Sequence, residues 1–106
     1  MEEIWRVTDR LGRVVSLTED RLRHIRANHP DMERWLDDLP SAVAESDIVT
    51  RNPGFEHRVR HYRAIRGSRA YVRVVVHYRP TPEGWVGTII TAHRHPGPRS
   101  EVQLWP

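Results

Sequence analysis

Three segments in the second half of the chain restrict the fold more than any other feature of the sequence. Residues 57–65, 71–79 and 85–93 are rich in valine, isoleucine, threonine and aromatic residues, a composition typical of β-strands. The connections between them, residues 66–68 and 80–84, contain glycine or proline and are too short for a crossover helix. We therefore expect three consecutive antiparallel strands.

The first half of the chain predicts a hairpin followed by helices. Residues 3–8 and 13–17 have strand-like patterns on either side of a short turn. A helix is expected to begin after Thr18, whose hydroxyl can accept a hydrogen bond from a free backbone N–H, and to end near Pro30. A second apolar pattern at helical spacing, residues 32–44, predicts one or two further helices.

Together these elements predict an α+β fold, with an N-terminal hairpin and two to three helices packed on one face of an antiparallel sheet of about four strands. We expect the 106 residues to form a single domain, 1–106, in which residues 94–106 are a surface tail. The chain has no cysteine, which excludes disulfides, thiolate zinc sites and a cysteine nucleophile. No segment is long and apolar enough to cross a bilayer, so we expect no membrane partner and a location in the cytoplasm or as a delivered effector.

Arginine dominates the charge of the chain. There are 17 basic and 14 acidic residues, a net charge of +3, and every basic residue is arginine. Between Arg51 and Arg79 the only acidic residue is Glu56. Arginines interleaved with tyrosines favour contacts with nucleic acid, because guanidinium groups bind phosphate bidentately and stack on rings. The alternative is a general bias towards arginine on ordinary solvated strand faces.

The register of the three strands decides which side chains meet. If the connections close simple hairpins, Ile65 lies opposite Arg69 and Arg79 lies opposite Trp85. One face of the sheet is then apolar and faces the helices, whereas the other carries two polar rows. The apolar face includes Tyr62, Val74 and Ala92, the first polar row contains His61, Arg73 and Thr91, and the second contains Arg63, Tyr71 and His93. The alternative interpretation is that the polar rows are the solvated side of a half-exposed sheet and have no chemical role.

The polar rows suit acid–base chemistry at a phosphodiester. Histidine titrates near neutral pH, arginine stabilises the charge of a pentavalent phosphorane, and a threonine hydroxyl can orient a phosphate oxygen. RNA supplies its own nucleophile, the 2′-OH, so no metal or cofactor is required. His57 with His61, and His93 with His95, share one side of a strand, but no nearby carboxylate completes a set of zinc ligands. We therefore expect no metal site and no cofactor.

The first helix contributes two histidines with different surroundings. On a helical wheel, Leu22, Ile25 and His29 share the apolar side, whereas His24 lies apart from it, in line with Asn28. Because His29 precedes a proline, we interpret it as a structural residue at the helix end. His24 points away from the apolar side and is a candidate for catalysis.

Several short motifs resemble a known group of ribonucleases. They are Leu17-Thr18 at the helix start, His24-Ile25 within the helix, His29-Pro30 at its end and Thr91-Ala92 in the last strand. In this order they resemble the phage- and toxin-associated barnase, EndoU, colicin and RelE-like (BECR) ribonucleases. The resemblance implies helices on one face of an antiparallel sheet and metal-independent RNA cleavage on the other. It also implies roles for His24, for an arginine of residues 57–65 and for Thr91, while His93 stands where members of that group often have an aromatic residue.

We therefore predict a small metal-independent endoribonuclease of toxin type that cleaves RNA by 2′-OH attack. The predicted catalytic residues are His24, His61, Arg73 and Thr91. The predicted RNA-binding residues are Arg58, Arg60, Arg63, Tyr71 and His93. The expected partners are RNA and, for a toxin, an acidic inhibitor or antitoxin protein. The alternative is a non-catalytic nucleic-acid-binding or protein-interaction module of a phage or mobile-element system.

Overall fold

The computed structural model describes residues 2–106, which form one seven-stranded sheet with helices against it. The strands are β1 (Glu3–Thr8), β2 (Val14–Thr18), β3 (Ile48–Arg51), β4 (Arg58–Ala64), β5 (Tyr71–Thr81), β6 (Gly84–His95) and β7 (Gln103–Trp105). The α-helices are α1 (Glu19–Asn28) and α2 (Leu39–Ala44), and a 3₁₀ helix (Pro30–Asp38) lies between them. Within residues 2–106, no helix has both the length and the apolar composition needed to span a lipid bilayer.

The seven strands form a single mixed sheet in the order β1-β2-β6-β5-β4-β3-β7. Neighbouring strands are antiparallel except β2 and β6, whose residues 14–16 and 86–88 pair in parallel. The predicted fold class is therefore wrong, because the hairpin belongs to the same sheet as the later strands and that sheet is wider than about four strands. The sequence did not predict the parallel pairing of β2 with β6 or the strand β7, because each involves a segment of only three residues. Residues 94–106, expected as a surface tail, contribute β7, which pairs with β3.

Helix α1 begins and ends where the sequence predicts. The Thr18 hydroxyl accepts a hydrogen bond from the Arg21 backbone N–H (3.3 Å), and the residue that ends the helix, His29, directly precedes Pro30. The Arg21 guanidinium donates two hydrogen bonds, of 3.0 and 2.6 Å, to the Ile90 carbonyl oxygen of β6. This attachment holds α1 beside β6 and brings the end of the helix towards the last residues of that strand.

The turn between β4 and β5 differs from the predicted one. It contains four residues, 66–69, and its ends are joined by a hydrogen bond from the Ile65 N–H to the Ala70 carbonyl (3.0 Å). Gly67 has a φ of 75°, a conformation that glycine adopts without steric cost. The prediction that Ile65 lies opposite Arg69 is therefore wrong, and β4 is displaced by one residue relative to β5.

The pairing of β5 with β6 also differs from the predicted register. The turn contains two residues, 82–83, where five were expected. A β-bulge then makes Ile90 an extra residue in β6. Ile89 pairs with Val76 and Thr91 pairs with Val75, so no residue of β5 lies opposite Ile90. Beyond the bulge, Arg73 lies opposite His93, and not opposite Thr91 as predicted.

These two shifts change which side chains are neighbours on the sheet. Arg73 lies between Tyr62 of β4 and His93 of β6, on the face of the sheet opposite α2. His61 pairs with Val74 and lies in the core under α2. Neither predicted polar row is present. The one-residue shift of β4 moves His61 and Arg63 to the face opposite Arg73, and the two-residue shift of β6 replaces Thr91 by His93 as the residue opposite Arg73.

A chain of buried polar groups runs through the core. The Tyr78 hydroxyl donates to the Asp9 carboxylate, and His61 Nε2 lies 2.9 Å from the same hydroxyl. Because the tyrosine proton goes to Asp9, Nε2 is the donor of the second bond, and His61 Nδ1 faces the Ser46 hydroxyl at 3.4 Å. Ser46, His61 and Asp9 are all buried, so this Ser-His-Asp set is structural. Burial outweighs the attraction of Asp9 and lowers the pKa of His61 to about 4.

We expect the free energy of unfolding to fall as the pH is lowered from 6.5 to about 4. In this range the unfolded chain protonates His61 and the folded protein does not, so lowering the pH favours the unfolded state. The full shift corresponds to about 3 kcal/mol. Urea unfolding at a series of pH values would measure it.

His61→Gln should remove a large part of this pH dependence, and the remainder comes from groups such as His93, whose pKa is also lowered. The matched control is His77→Gln on the exposed side of β5, which should keep the wild-type dependence. Equal pH dependence in His61→Gln and in the wild-type protein would contradict the assignment of a neutral buried His61.

Candidate active site

A row of polar side chains crosses the sheet on the face opposite α2. The Arg73 Nε and Nη2 atoms lie 2.9 and 2.6 Å from His93 Nε2. On the other side, Arg73 Nη1 donates to the Tyr62 hydroxyl at 3.4 Å. Three neighbours extend this row: His29, at the end of α1, and His95 and Glu101, near the end of the chain. The histidine–arginine cluster consists of His29, Tyr62, Arg73, His93, His95 and Glu101.

Arg73 fixes the protonation of His93. A guanidinium only donates hydrogen bonds, so His93 Nε2 is the acceptor and the ring proton lies on Nδ1. Burial lowers the pKa of His93 to about 4, and the positive charges of Arg73 and Arg60 act in the same direction. The ring is therefore neutral at physiological pH. Its Nε2 lone pair can accept a proton as soon as Arg73 turns to another acceptor.

Glu101 holds the other end of the row. Its Oε1 accepts hydrogen bonds from the hydroxyls of Thr50 (2.7 Å) and Tyr62 (3.0 Å), and lies 3.0 Å from Arg60 Nη1. Burial alone would raise the pKa of Glu101, but hydrogen bonds from these groups and from a backbone N–H lower it to about 2. Because the Tyr62 proton is donated to Glu101, the Tyr62 oxygen is the acceptor for Arg73.

Two further histidines flank His93. The His29 ring lies with its centroid 5.2 Å from that of His93, and the His95 centroid lies 6.0 Å away. His95 Nδ1 accepts a hydrogen bond from the Gly97 backbone N–H (3.0 Å), which leaves the ring proton on Nε2. Burial lowers the pKa of His95, and the charge of Arg73 adds to this effect. Three imidazoles therefore lie together on a partly exposed surface, and the central one, His93, contacts the Arg73 guanidinium.

Thr91 lies two residues before His93 and on the same face of β6. Thr91 Oγ1 and His93 Nδ1 are both buried, and neither has a hydrogen-bond partner among residues 2–106. Buried polar atoms without partners are rare in folded proteins. Two of them on adjacent side chains favour this end of the row as the place where a polar ligand binds.

The predicted RNA-binding residues fall into two groups. Arg60, Tyr71 and His93 belong to the cluster or contact it. Tyr71 packs edge-on against Tyr62, with ring centroids 6.0 Å apart. Arg58 lies farther along the same face of β4. Arg63 lies on the opposite face, because of the changed register, and its guanidinium contacts the Glu45 carboxylate at 3.4 Å.

The predicted catalytic residues also separate. Arg73 and Thr91 lie on the polar face, whereas His61 is fully buried in the core. His24 is partly exposed on α1, where its Nδ1 lies 3.1 Å from the Asn28 side-chain amide. In the described part of the chain, no hydrogen bond or ring contact joins His24 to the cluster. The histidine of this segment that the structure brings to the row is therefore His29, the residue that follows α1.

Four members of the cluster were not predicted as site residues. From the sequence, His29 reads as a helix end, Tyr62 as a core residue, and His95 and Glu101 as parts of the strand exit and tail. Charge offered one usable signal. Glu101 is the only acidic residue after Glu83, in a region rich in arginine, so an arginine partner could have been predicted.

Comparison with protein-family models, with curated proteins and with solved structures finds no match for this chain. The resemblance to ribonucleases that the short motifs suggest therefore stays a prediction. Among residues 2–106, no three histidine, aspartate or glutamate side chains are grouped so as to hold a metal ion.

We expect Arg73→Gln to raise the pKa of His93 from about 4 towards its usual range. The rise should be partial, because burial is the larger cause of the shift and remains in the variant. An NMR titration of the histidine ring protons would measure it. Arg63→Gln, on the opposite face, is the matched control and should leave the His93 pKa at its wild-type value. An unchanged His93 pKa in Arg73→Gln would contradict the interaction.

Proposed function

We propose that this protein is a metal-independent endoribonuclease that cleaves RNA by attack of a 2′-OH on the adjacent phosphodiester. The observation that carries the proposal is the Arg73 guanidinium, which lies against the neutral His93 ring, with the His29 ring next to it. This arrangement supplies one cation for the phosphate and two imidazoles for proton transfer. Those are the groups that the reaction needs.

In the first step Arg73 turns from His93 to the phosphate, which it binds through two parallel N–H donors. His93 Nε2 then accepts the proton of the 2′-OH, and the 2′ oxygen forms a bond to phosphorus. The negative phosphate offsets the charges of Arg73 and Arg60, so the His93 pKa rises from its low value as the substrate binds. Substrate binding thereby strengthens the base.

In the second step His29 donates a proton to the 5′ oxygen as the bond between that oxygen and phosphorus breaks. The products are a 2′,3′-cyclic phosphate and a free 5′-OH. Arg73 and Arg60 stabilise the negative charge that develops on the non-bridging phosphate oxygens. Thr91 Oγ1 and the Nε2 proton of His95 provide additional hydrogen-bond donors for the same oxygens.

The surroundings of the cluster fit an RNA substrate. Arginine is the only basic residue type besides histidine in a chain of net charge +3, and several arginines lie along β4 and β5. A positive surface of this kind attracts the phosphate backbone irrespective of sequence. A toxin with this activity would act where cellular RNA is present, in the cytoplasm or after delivery into a target cell. An acidic antitoxin would hold it inactive by covering the same arginines.

A second candidate function is non-catalytic RNA binding. The observation that favours it is that Arg73 occupies the one free lone pair of His93, so His93 in this state cannot act as a base. If Arg73 kept its contact with His93 in the complex with RNA, Arg60 and His95 would bind a phosphate and the phosphodiester bond would stay intact. A cleavage assay separates the two functions.

We expect the purified protein to cleave single-stranded RNA in the presence of EDTA. His29→Ala and His93→Ala should each lower the cleavage rate by about 10²- to 10⁴-fold, because each removes a proton-transfer group. Arg73→Ala should lower it by about 10²- to 10³-fold, through loss of charge stabilisation. The exposed His77→Gln serves as the matched control with wild-type activity.

Intact RNA after incubation with the folded wild-type protein would overturn the nuclease proposal. So would equal cleavage by the His29→Ala, His93→Ala double variant, which would identify a contaminating nuclease. His24→Asn tests the catalytic role of His24 that the sequence motifs imply. A loss of cleavage rate as large as that of His29→Ala would show that His24 takes part in catalysis.

A further inference from the structure

Two aromatic side chains are exposed together at the end of the sheet farther from His93. Among the described residues, the large apolar side chains with the most exposure are Ile4, Phe55, Trp85 and Val102, at 45%, 49%, 36% and 58%. Phe55 and Trp85 line one cleft of about 550 Å³, where the chain leaves β3, enters β4 and begins β6. Ile4 and Val102 do not line this cleft.

Each of the two rings is combined with cationic or imidazole groups. The Arg58 guanidinium carbon lies 4.0 Å from the Phe55 ring centroid. The His57 ring lies against Trp85, with centroids 5.0 Å apart, and the Arg13 guanidinium carbon lies 5.5 Å from the Trp85 centroid. Phe55, His57, Arg58, Trp85 and Arg13 together form the aromatic platform.

Charge in and around the cleft selects for an anionic ligand. Arg51 lines the cleft and Glu56 is its single carboxylate, while Arg13 and Arg58 lie against the two rings. Arg58 takes part in none of the salt bridges among residues 2–106, and its buried Nε has no hydrogen-bond partner there. An arginine that is stacked on a ring and is paired with no carboxylate is a ready contact for phosphate.

Strand β4 connects the platform to the histidine–arginine cluster. Arg58, Arg60 and Tyr62 are alternate residues of this strand, so their side chains share one face. The Cα atoms of Arg58 and Tyr62 are about 13 Å apart at the usual rise of a strand. A polynucleotide that places its phosphate at Arg73 can therefore follow Arg60 and Arg58 to Phe55, which lines the same cleft as Trp85 at the end of the sheet.

We propose that the aromatic platform binds the bases of single-stranded RNA flanking the cleaved bond, with Phe55 and Trp85 as stacking surfaces and Arg58 and Arg51 as phosphate contacts. This inference rests on the proposed function for the identity of the polymer, but it assigns a separate site. Stacking of bases on aromatic rings between arginines is a common way of binding single strands without sequence preference. In a duplex the bases are already stacked, so the platform discriminates against double-stranded RNA.

The test measures binding without cleavage, by fluorescence anisotropy of a labelled single-stranded 2′-O-methyl RNA oligonucleotide. Phe55→Leu and Trp85→Leu retain an apolar side chain and remove the aromatic face, and each should weaken binding about tenfold. Ile4→Ala is the matched control, since it alters an exposed apolar residue away from the cleft, and it should bind with wild-type affinity. Thermal unfolding of each variant would verify that it is folded.

Wild-type affinity in both leucine variants would overturn the platform, whether or not the protein cleaves RNA. An equal loss of affinity for a duplex of the same sequence would also overturn it, because stacking requires unpaired bases. Weaker single-strand binding in the leucine variants, together with no cleavage of unmodified RNA by the wild type, would support the platform and reject the nuclease. The two proposals therefore fail by different results.

Discussion

The register of β4, β5 and β6 is the constraint on which the rest of the structure depends. The four-residue turn 66–69 and the bulge at Ile90 place Tyr62, Arg73 and His93 side by side on one face of the sheet. The same register places His61 on the opposite face, under α2, where it is fully buried. Since side chains alternate along a strand, a shift of one residue in β5 relative to its neighbours would bury Arg73 and separate it from both partners. The candidate site and the polar part of the core are therefore products of the same pairing.

The two faces carry polar networks with opposite properties. In the core, both ring nitrogens of His61 face hydroxyl groups, and the network ends at the Asp9 carboxylate, so it is closed and stabilises the fold. On the other face, the network begins at Glu101 and passes through Tyr62 and Arg73 to His93, whose Nδ1 has no partner in the described chain. That network contains a guanidinium cation, the neutral His93 ring and a buried ring N–H without a partner, beside a partly exposed surface. It has the composition of a site for an anionic ligand, whereas the closed network does not.

The sequence predicted the features that depend on neighbouring residues. Thr18 and Pro30 bound α1 as expected. Arg73, Thr91 and His93 were candidates because of a predicted strand register that the structure does not have. The register was not predictable, because it depends on how many residues each turn contains and because an extra isoleucine in an apolar strand leaves no mark in the pattern. His29 and Glu101 were missed for a different reason. The contact between Arg21 and β6 brings His29 towards the row. The pairing of β7 with β3 brings Glu101 towards it. Both are tertiary contacts between segments that are distant in the sequence.

The chemical ends of the cleaved RNA test the central claim most directly. Mass spectrometry of the fragments produced in EDTA would identify them. Attack by the 2′-OH, with His93 as base and His29 as acid, predicts a 2′,3′-cyclic phosphate on one fragment and a 5′-OH on the other, and no cleavage where the scissile nucleotide is 2′-deoxy. Fragments that end in 3′-OH and 5′-phosphate, or cleavage at the 2′-deoxy position, would contradict the account.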